Sequence, residues 1–298
     1  MRWRSIGIAV VALAASACAA DAPANTPAPT ETPTAAASKI TPLLATTQLR
    51  VGTQRVAFLL DSTTALVTAP EVEIQTSLAG TSLGETAVAP FYLWPFGTRG
   101  TYSTELTFDR PGTWRLDIHV DDGTFAGDAS LLLDVAERSS IVDVGELAPF
   151  SNTKTLRSEG GDLSRLTTSS RPDPELYRMS VAEALISGRP SLIVFASPAF
   201  CTSPTCGPQV GTVSELRALH ADEADFIHVE VYDNPHEIQG DLSCATYAPA
   251  LAAWGIDAVP GYLNESWVFV LGSDGRIKAR FEGYASLREL EAALLAAS

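Results

Sequence analysis

Positive charge is scarce in this 298-residue chain, where 20 lysine and arginine residues stand against 35 aspartate and glutamate for a formal net charge of −15. No basic cluster exists to neutralise a phosphate backbone, which argues against nucleic acid as a partner. The acidity is read as a source of solubility and says nothing about substrate. Familiar catalytic signatures are missing too. There is no phosphate-cradling glycine loop, no Gly-x-Ser-x-Gly elbow and no His-x-x-x-His zinc pair. A membrane-spanning run is lacking near the N-terminus, because the apolar stretch Ile6 to Ala14 is too short to cross a bilayer as a helix. Cysteine is sparse, with four residues, and so is histidine, with four.

Those few cysteines are placed where chemistry can use them. Met1-Arg-Trp-Arg4, Ile6 to Ala14 and Ala15-Ser-Ala-Cys18 read as a signal peptide over residues 1–18: a basic start, an apolar middle, small residues at the end. Its last four residues resemble a bacterial lipobox, although Ala15 stands where leucine is commoner. The resemblance implies cleavage before Cys18, a lipid on its sulfur and a membrane anchor. An ordinary secretory cut at the Ala-x-Ala pattern is the other reading. Both place the mature chain in the cell envelope, outside the cytoplasm, where disulfides persist. Residues 19–44 begin with a Pro/Thr/Ala-rich stretch that reads as a disordered tether.

Residues 45–138 read as an all-β domain. Gln54–Leu60, Glu71–Thr76, Thr101–Phe108, Thr113–Val120 and Ala129–Val135 are short β-rich runs, several alternating apolar and polar residues. Asp109-Arg-Pro-Gly112 and Asp121-Asp-Gly123 are turn signals between them. The phrase from Gly100 to Trp114 resembles small immunoglobulin-like modules of bacterial envelope proteins, and the resemblance implies a sandwich. Trp114 reads as core and His119 as solvent-facing.

Residues 139–298 read differently. A helix over Ser180–Ser187 precedes the apolar run Ser191–Ala196, a buried strand, and Phe226–Tyr232 is a second strand. Val210, Val213, Leu216 and Leu219 suggest one stripe of a helix beginning near Pro208. A further helix over Tyr247–Trp254, the hairpin Trp267–Leu271 with Arg276–Glu282, and a last helix opened by the capping box Ser286-Leu-Arg-Glu289 complete the half. Between the first strand and the Pro208 helix lie Cys201 and Cys206. A helix N-terminus favours thiolate over thiol, and 196–208 contains no carboxylate to oppose it. Five residues apart in a helix, their Cα atoms would be about 8–9 Å apart, beyond the reach of a disulfide. Bonding is feasible only if 201–205 form a loop, which Ser203-Pro204 encourages.

This order, with cysteines after the first central strand, resembles the thioredoxin fold, so the expected architecture is two domains: an all-β immunoglobulin-like sandwich and an α/β thioredoxin-like fold. The resemblance implies a thiol–disulfide oxidoreductase of the envelope acting on protein thiols or disulfides. Two alignments compete. Matching Phe200-Cys201 to the family's Trp-Cys makes Cys201 the nucleophile and Cys206 its partner in a Cys-x4-Cys loop. Matching Cys206-Gly-Pro208 to Cys-Gly-Pro makes Cys206 the nucleophile, with Gln209 where a second cysteine would be. The family's cis-proline has Ser266 in its place, which implies an altered substrate groove and a trans bond. No cofactor is required, but Sco-type copper chaperones share the fold and a nearby cysteine pair. That resemblance makes Cys201 and Cys206 copper ligands, with His220, His228 or His236 as a third. A non-catalytic adaptor is a third reading. Cys244 reads as a small buried residue, with roles as a resolving thiol or metal ligand left open.

Overall fold

Alternation of inward apolar and outward polar side chains builds the first half of the molecule. The computed structural model describes residues 39–298 apart from 63–64, 79–81, 96–97, 261 and 263–264. The signal peptide, Cys18 and the tether up to residue 38 lie outside the described residues. Eight strands follow: β1 (Ile40–Leu44), β2 (Leu49–Arg50), β3 (Gly52–Ser62), β4 (Glu71–Leu78), β5 (Ser82–Leu93), β6 (Gly100–Phe108), β7 (Gly112–Asp121) and β8 (Ala126–Ala136). They form one sheet in the order β1-β3-β6-β5-β4-β7-β8-β2. β5 is the pivot. Its stretch Ser82–Pro90 pairs with β4 and Phe91–Leu93 with β6, so the sheet curls over on itself.

The two arms of that curl enclose a single core. Trp114, Leu116, Ile118 and Val120 of β7 point in, and Val56, Phe58 and Leu60 of β3 meet Tyr102, Leu106 and Phe108 of β6. Each fully buried side chain of this size contributes about 1.5–3 kcal/mol. As expected, Trp114 is core, its indole edge-on to Phe108 at 5.3 Å. His119 faces solvent and bonds Asp128 at 2.8 Å.

The second half is a smaller mixed sheet. Its elements are α1 (Val181–Ser187), β9 (Ser191–Ala196), α2 (Cys206–His220), β10 (Asp225–Glu230), α3 (Pro235–Ile238), α4 (Pro249–Trp254), β11 (Trp267–Leu271), β12 (Ile277–Glu282) and α5 (Leu287–Ala297). Strand order is β10-β9-β11-β12, with β10 parallel and β11 antiparallel to β9. All six residues of β9 are buried because both faces are covered. Leu192, Val194 and Ala196 meet Val210 and Val213 of α2 and Leu290 and Leu294 of α5. Ile193 and Phe195 meet Val181 of α1 and Leu251 and Trp254 of α4. Capping boxes start α1 at Ser180/Glu183 and α5 at Ser286/Glu289. The α2 stripe is shorter than its spacing suggests: Leu216 is buried, but Leu219 is 61% exposed. Steps of three residues drift about 60° each on a 3.6-residue helix, so the fourth position points away from the first.

Polar contacts tie the two halves together. Arg55 of β3 donates to Glu289 of α5 at 2.8 Å and to the Tyr284 carbonyl at 2.9 Å. Ser103 of β6 donates to the same Glu289 oxygen at 2.7 Å. Glu282 of β12 accepts from the Thr47 hydroxyl at 2.6 Å and the Gln48 amide at 3.0 Å. Arg50 pairs with Asp143.

These findings correct the expected architecture of an immunoglobulin-like sandwich followed by a thioredoxin-like α/β domain. Among the described residues the fold is mainly β, with twelve strands against five helices, and its dominant feature is the curled eight-stranded sheet. The described residues belong to one compact unit. Element order misled because it does not weigh length. The segments read as helical over 180–187 and 247–254 stop at seven and six residues. Residues 139–180 add only the short 3₁₀ turns Leu163–Arg165 and Pro174–Tyr177. No helix among the described residues is long and apolar enough to cross a membrane.

Candidate functional site

Cys201 and Cys206 are joined by a disulfide, with Cα atoms 5.9 Å apart. The geometric condition set by the sequence is met because α2 begins at Cys206, leaving 201–205 as turns. The two sulfurs differ in setting. Cys206 is fully buried against the α2 face of the sheet, whereas Cys201 is partly exposed. Cys206 is the first residue of a 15-residue helix, where unpaired backbone N–H groups favour negative charge.

Phe200, beside Cys201, packs edge-on against Tyr232 at 5.9 Å, and Tyr232 stacks on Tyr247 at 5.7 Å. Tyr232 also lines a cavity of about 390 Å³ together with Phe150, Lys154 and Glu230. The site therefore has an aromatic flank and a recess beside it.

Two carboxylates that sequence reasoning missed approach the cysteine loop. Glu265, just before β11, accepts from the Ser203 hydroxyl at 2.8 Å and from Thr205 at 3.4 Å. The Ser203 oxygen is in turn 3.7 Å from the Cys201 sulfur. Burial raises the Glu265 carboxyl above the usual range, against the pull of these hydroxyls and the Ser203 amide. Glu230 ends β10 opposite Ala196, the last residue of β9. It accepts from the Thr168 amide and hydroxyl, both at 2.8 Å, and Thr168 receives the Ala199 amide at 3.1 Å. Burial pushes the Glu230 carboxyl up to about 7, against these hydrogen bonds. Both residues lie tens of positions from the cysteines, so no local pattern marks them. The only cue is that Glu265 directly precedes Ser266.

Ser266 does not line an open groove. It is fully buried, its hydroxyl donates to the Gly283 carbonyl at 3.1 Å, and no described peptide bond is cis. The three candidate histidines are dispersed. His228 is buried, and its Nε2–H donates to the Ala196 carbonyl at 3.0 Å. Its Nδ1 therefore accepts from the Tyr177 hydroxyl at 2.6 Å. Burial pushes it down to about 4, so it is neutral at physiological pH. His220 sits between Glu223 and Glu291, 2.9 Å from each, and His236 is beside Glu237 at 3.7 Å. Among the described residues no three His, Cys, Asp or Glu side chains are grouped to hold a metal ion. Cys244 departs from its expected burial: it is exposed and outside any disulfide among the described residues.

No protein-family model matches the chain, and no curated protein matches it. The site itself offers a disulfide between a partly exposed and a fully buried cysteine, the buried one at a helix start, and a hydroxyl-linked carboxylate beside it.

Proposed function

We propose that the chain is a cell-envelope thiol–disulfide oxidoreductase whose working pair is Cys201 and Cys206. The observation that carries this reading is the asymmetry of the pair. Cys201 is the partly exposed partner, so an incoming thiolate attacks its sulfur. The bond it breaks leaves Cys206 as a thiolate at the start of α2, where the helix N-terminus favours the charge and the buried apolar surroundings oppose it. The products are a mixed disulfide on Cys201 and one thiolate. A second thiolate of the partner then attacks the partner's own sulfur, releasing Cys201 and completing a two-electron exchange. Run backwards, the same steps reduce a partner disulfide. The lipobox-like Cys18 supports anchorage to the membrane, with envelope protein thiols or disulfides as partners.

Trapping tests the reading. The Cys206→Ser variant is expected to accumulate mixed disulfides on Cys201 with envelope proteins, and Cys201→Ser to accumulate none. Trapping only in Cys201→Ser would make Cys206 the attacking sulfur instead. No trapping in either, with stoichiometric Cu(I) uptake by the reduced protein, would replace exchange by copper handling. For the anchor, Cys18→Ser is expected to move the protein to the soluble fraction, and unchanged membrane association would contradict it.

A further inference from the structure

Ser203 has one hydroxyl proton and two neighbours that want it. The Glu265 carboxylate lies 2.8 Å away, and the Cys201 sulfur 3.7 Å away. Thr205 stands behind, with its hydroxyl 2.6 Å from that of Ser203 and 3.4 Å from Glu265. While Cys201 is in the disulfide, its sulfur is neutral and the Ser203 O–H points at the carboxylate. Once the disulfide opens, two anions compete for the Ser203 proton.

We infer that Glu265 is a positioning residue which, through Ser203, sets the protonation of Cys201 and hence the pH at which it exchanges. This rests on Cys201 being the exchanging sulfur. With Glu265 ionised, the Ser203 O–H points at the carboxylate, and the nearby negative charge disfavours thiolate on Cys201. With Glu265 protonated, its O–H donates to Ser203, whose own O–H turns to the thiolate. When Cys201 as a thiol attacks a partner disulfide, its proton passes by way of Ser203 to the Glu265 carboxylate. The new S–S bond forms on Cys201, and the partner's outer sulfur departs as thiolate. Thiol and carboxyl therefore titrate as a pair, in two steps that belong to neither alone.

The surroundings sharpen the effect. No lysine, arginine or histidine forms an ion pair with Glu265 among the described residues; hydroxyls and a backbone amide hold it instead. The titratable groups on this side include Cys206, Tyr262, which donates to the Glu265 carbonyl at 3.2 Å, then Tyr247, Tyr232 and Glu230. Lys154, which lines the recess with Tyr232 and Glu230, is paired with Asp233 at 3.1 Å, and Arg165 with Asp162 at 3.6 Å. A simple loop-clamping role for Glu265 would also explain its bonds to Ser203 and Thr205, so the test must read protonation and not only stability.

The experiment is the pH profile of iodoacetamide alkylation of Cys201, by mass spectrometry, on the reduced full chain. Glu265→Gln is expected to lower the apparent pKa of Cys201 by about one unit or more, because the charge is gone and the amide frees the Ser203 proton. Removing Ser203 as well, with Ser203→Ala, is expected to shrink that shift, since part of it travels through the hydroxyl. Glu265→Asp, one methylene shorter, gives a smaller shift of the same sign and serves if the glutamine variant does not fold. Profiles that superimpose on wild type in a folded Glu265 variant overturn the inference. So does a Glu265→Gln shift of full size without Ser203. Exchange with glutathione is read on the same samples. If it is absent while the alkylation shift is present, the oxidoreductase reading fails and the Glu265 linkage stands. Normal exchange with no shift does the reverse.

Discussion

Reducing the Cys201–Cys206 bond perturbs the fold in a way whose size follows from the chain. The two cysteines are five residues apart and close a ring of six residues. For a ring that short, the chain-entropy relation gives about 2 kcal/mol of stabilisation through the unfolded state. Little is lost in the folded state, because Cys206 stays in a fully buried apolar setting that suits a thiol as well as half a disulfide. Reduction is therefore expected to lower the unfolding free energy by about 2 kcal/mol and leave the structure intact. Urea denaturation with and without reductant measures this, read by the fluorescence of the buried Trp254 and Trp267. A loss above about 5 kcal/mol, or a reduced protein without a cooperative transition, would refute the reasoning. The bond would then be a staple the fold depends on, unsuited to turnover.

Further outcomes follow from the buried charges and the exposed thiol. Glu230 holds a proton up to about 7 when folded, against an ordinary value of 4.5. Its contribution is complete at low pH and is lost as pH rises through 7, by about 3 kcal/mol in all. The stability difference between wild type and Glu230→Gln should change between pH 5 and 8, and a constant difference contradicts the assignment. Glu289→Ala leaves Arg55 buried without its carboxylate and is expected to cost about 3–5 kcal/mol in thermal or urea unfolding. A loss under about 1 kcal/mol would mean the junction is held by other contacts. Cys244 is exposed, so the oxidised protein lacking residues 1–18 should alkylate at Cys244 alone, and at all three cysteines after reduction and unfolding.

Much of the strand content is legible in the sequence because burial on one or both faces leaves a local trace. Alternation from Trp114 to Val120 marks β7, and the unbroken apolar run ending at Ala196 marks β9. The capping boxes at Ser286 and the cysteine spacing are local as well. What the sequence hides is set by distant partners. No pattern within β5 says that one strand changes partner at Phe91 and curls the sheet. Nothing near 55 or 289 announces that Arg55 and Glu289 meet, so the halves look more independent than they are. Glu265 reaches Ser203 only through the fold, which is why the loop seemed free of carboxylates. The burial expected of Cys244 fails for a related reason: it lies in a 3₁₀ turn at the surface that composition does not distinguish from core.

The central claim, that the Cys201–Cys206 bond is exchanged, is tested most directly by equilibrating the folded protein in glutathione buffers of graded poise. The fraction of chains carrying the bond is then counted by mass after acid quenching. A reversible two-electron titration is expected, with the protein folded throughout and glutathione captured on Cys201 in the Cys206→Ser variant. A bond that stays closed across every glutathione buffer and opens only on unfolding would contradict it.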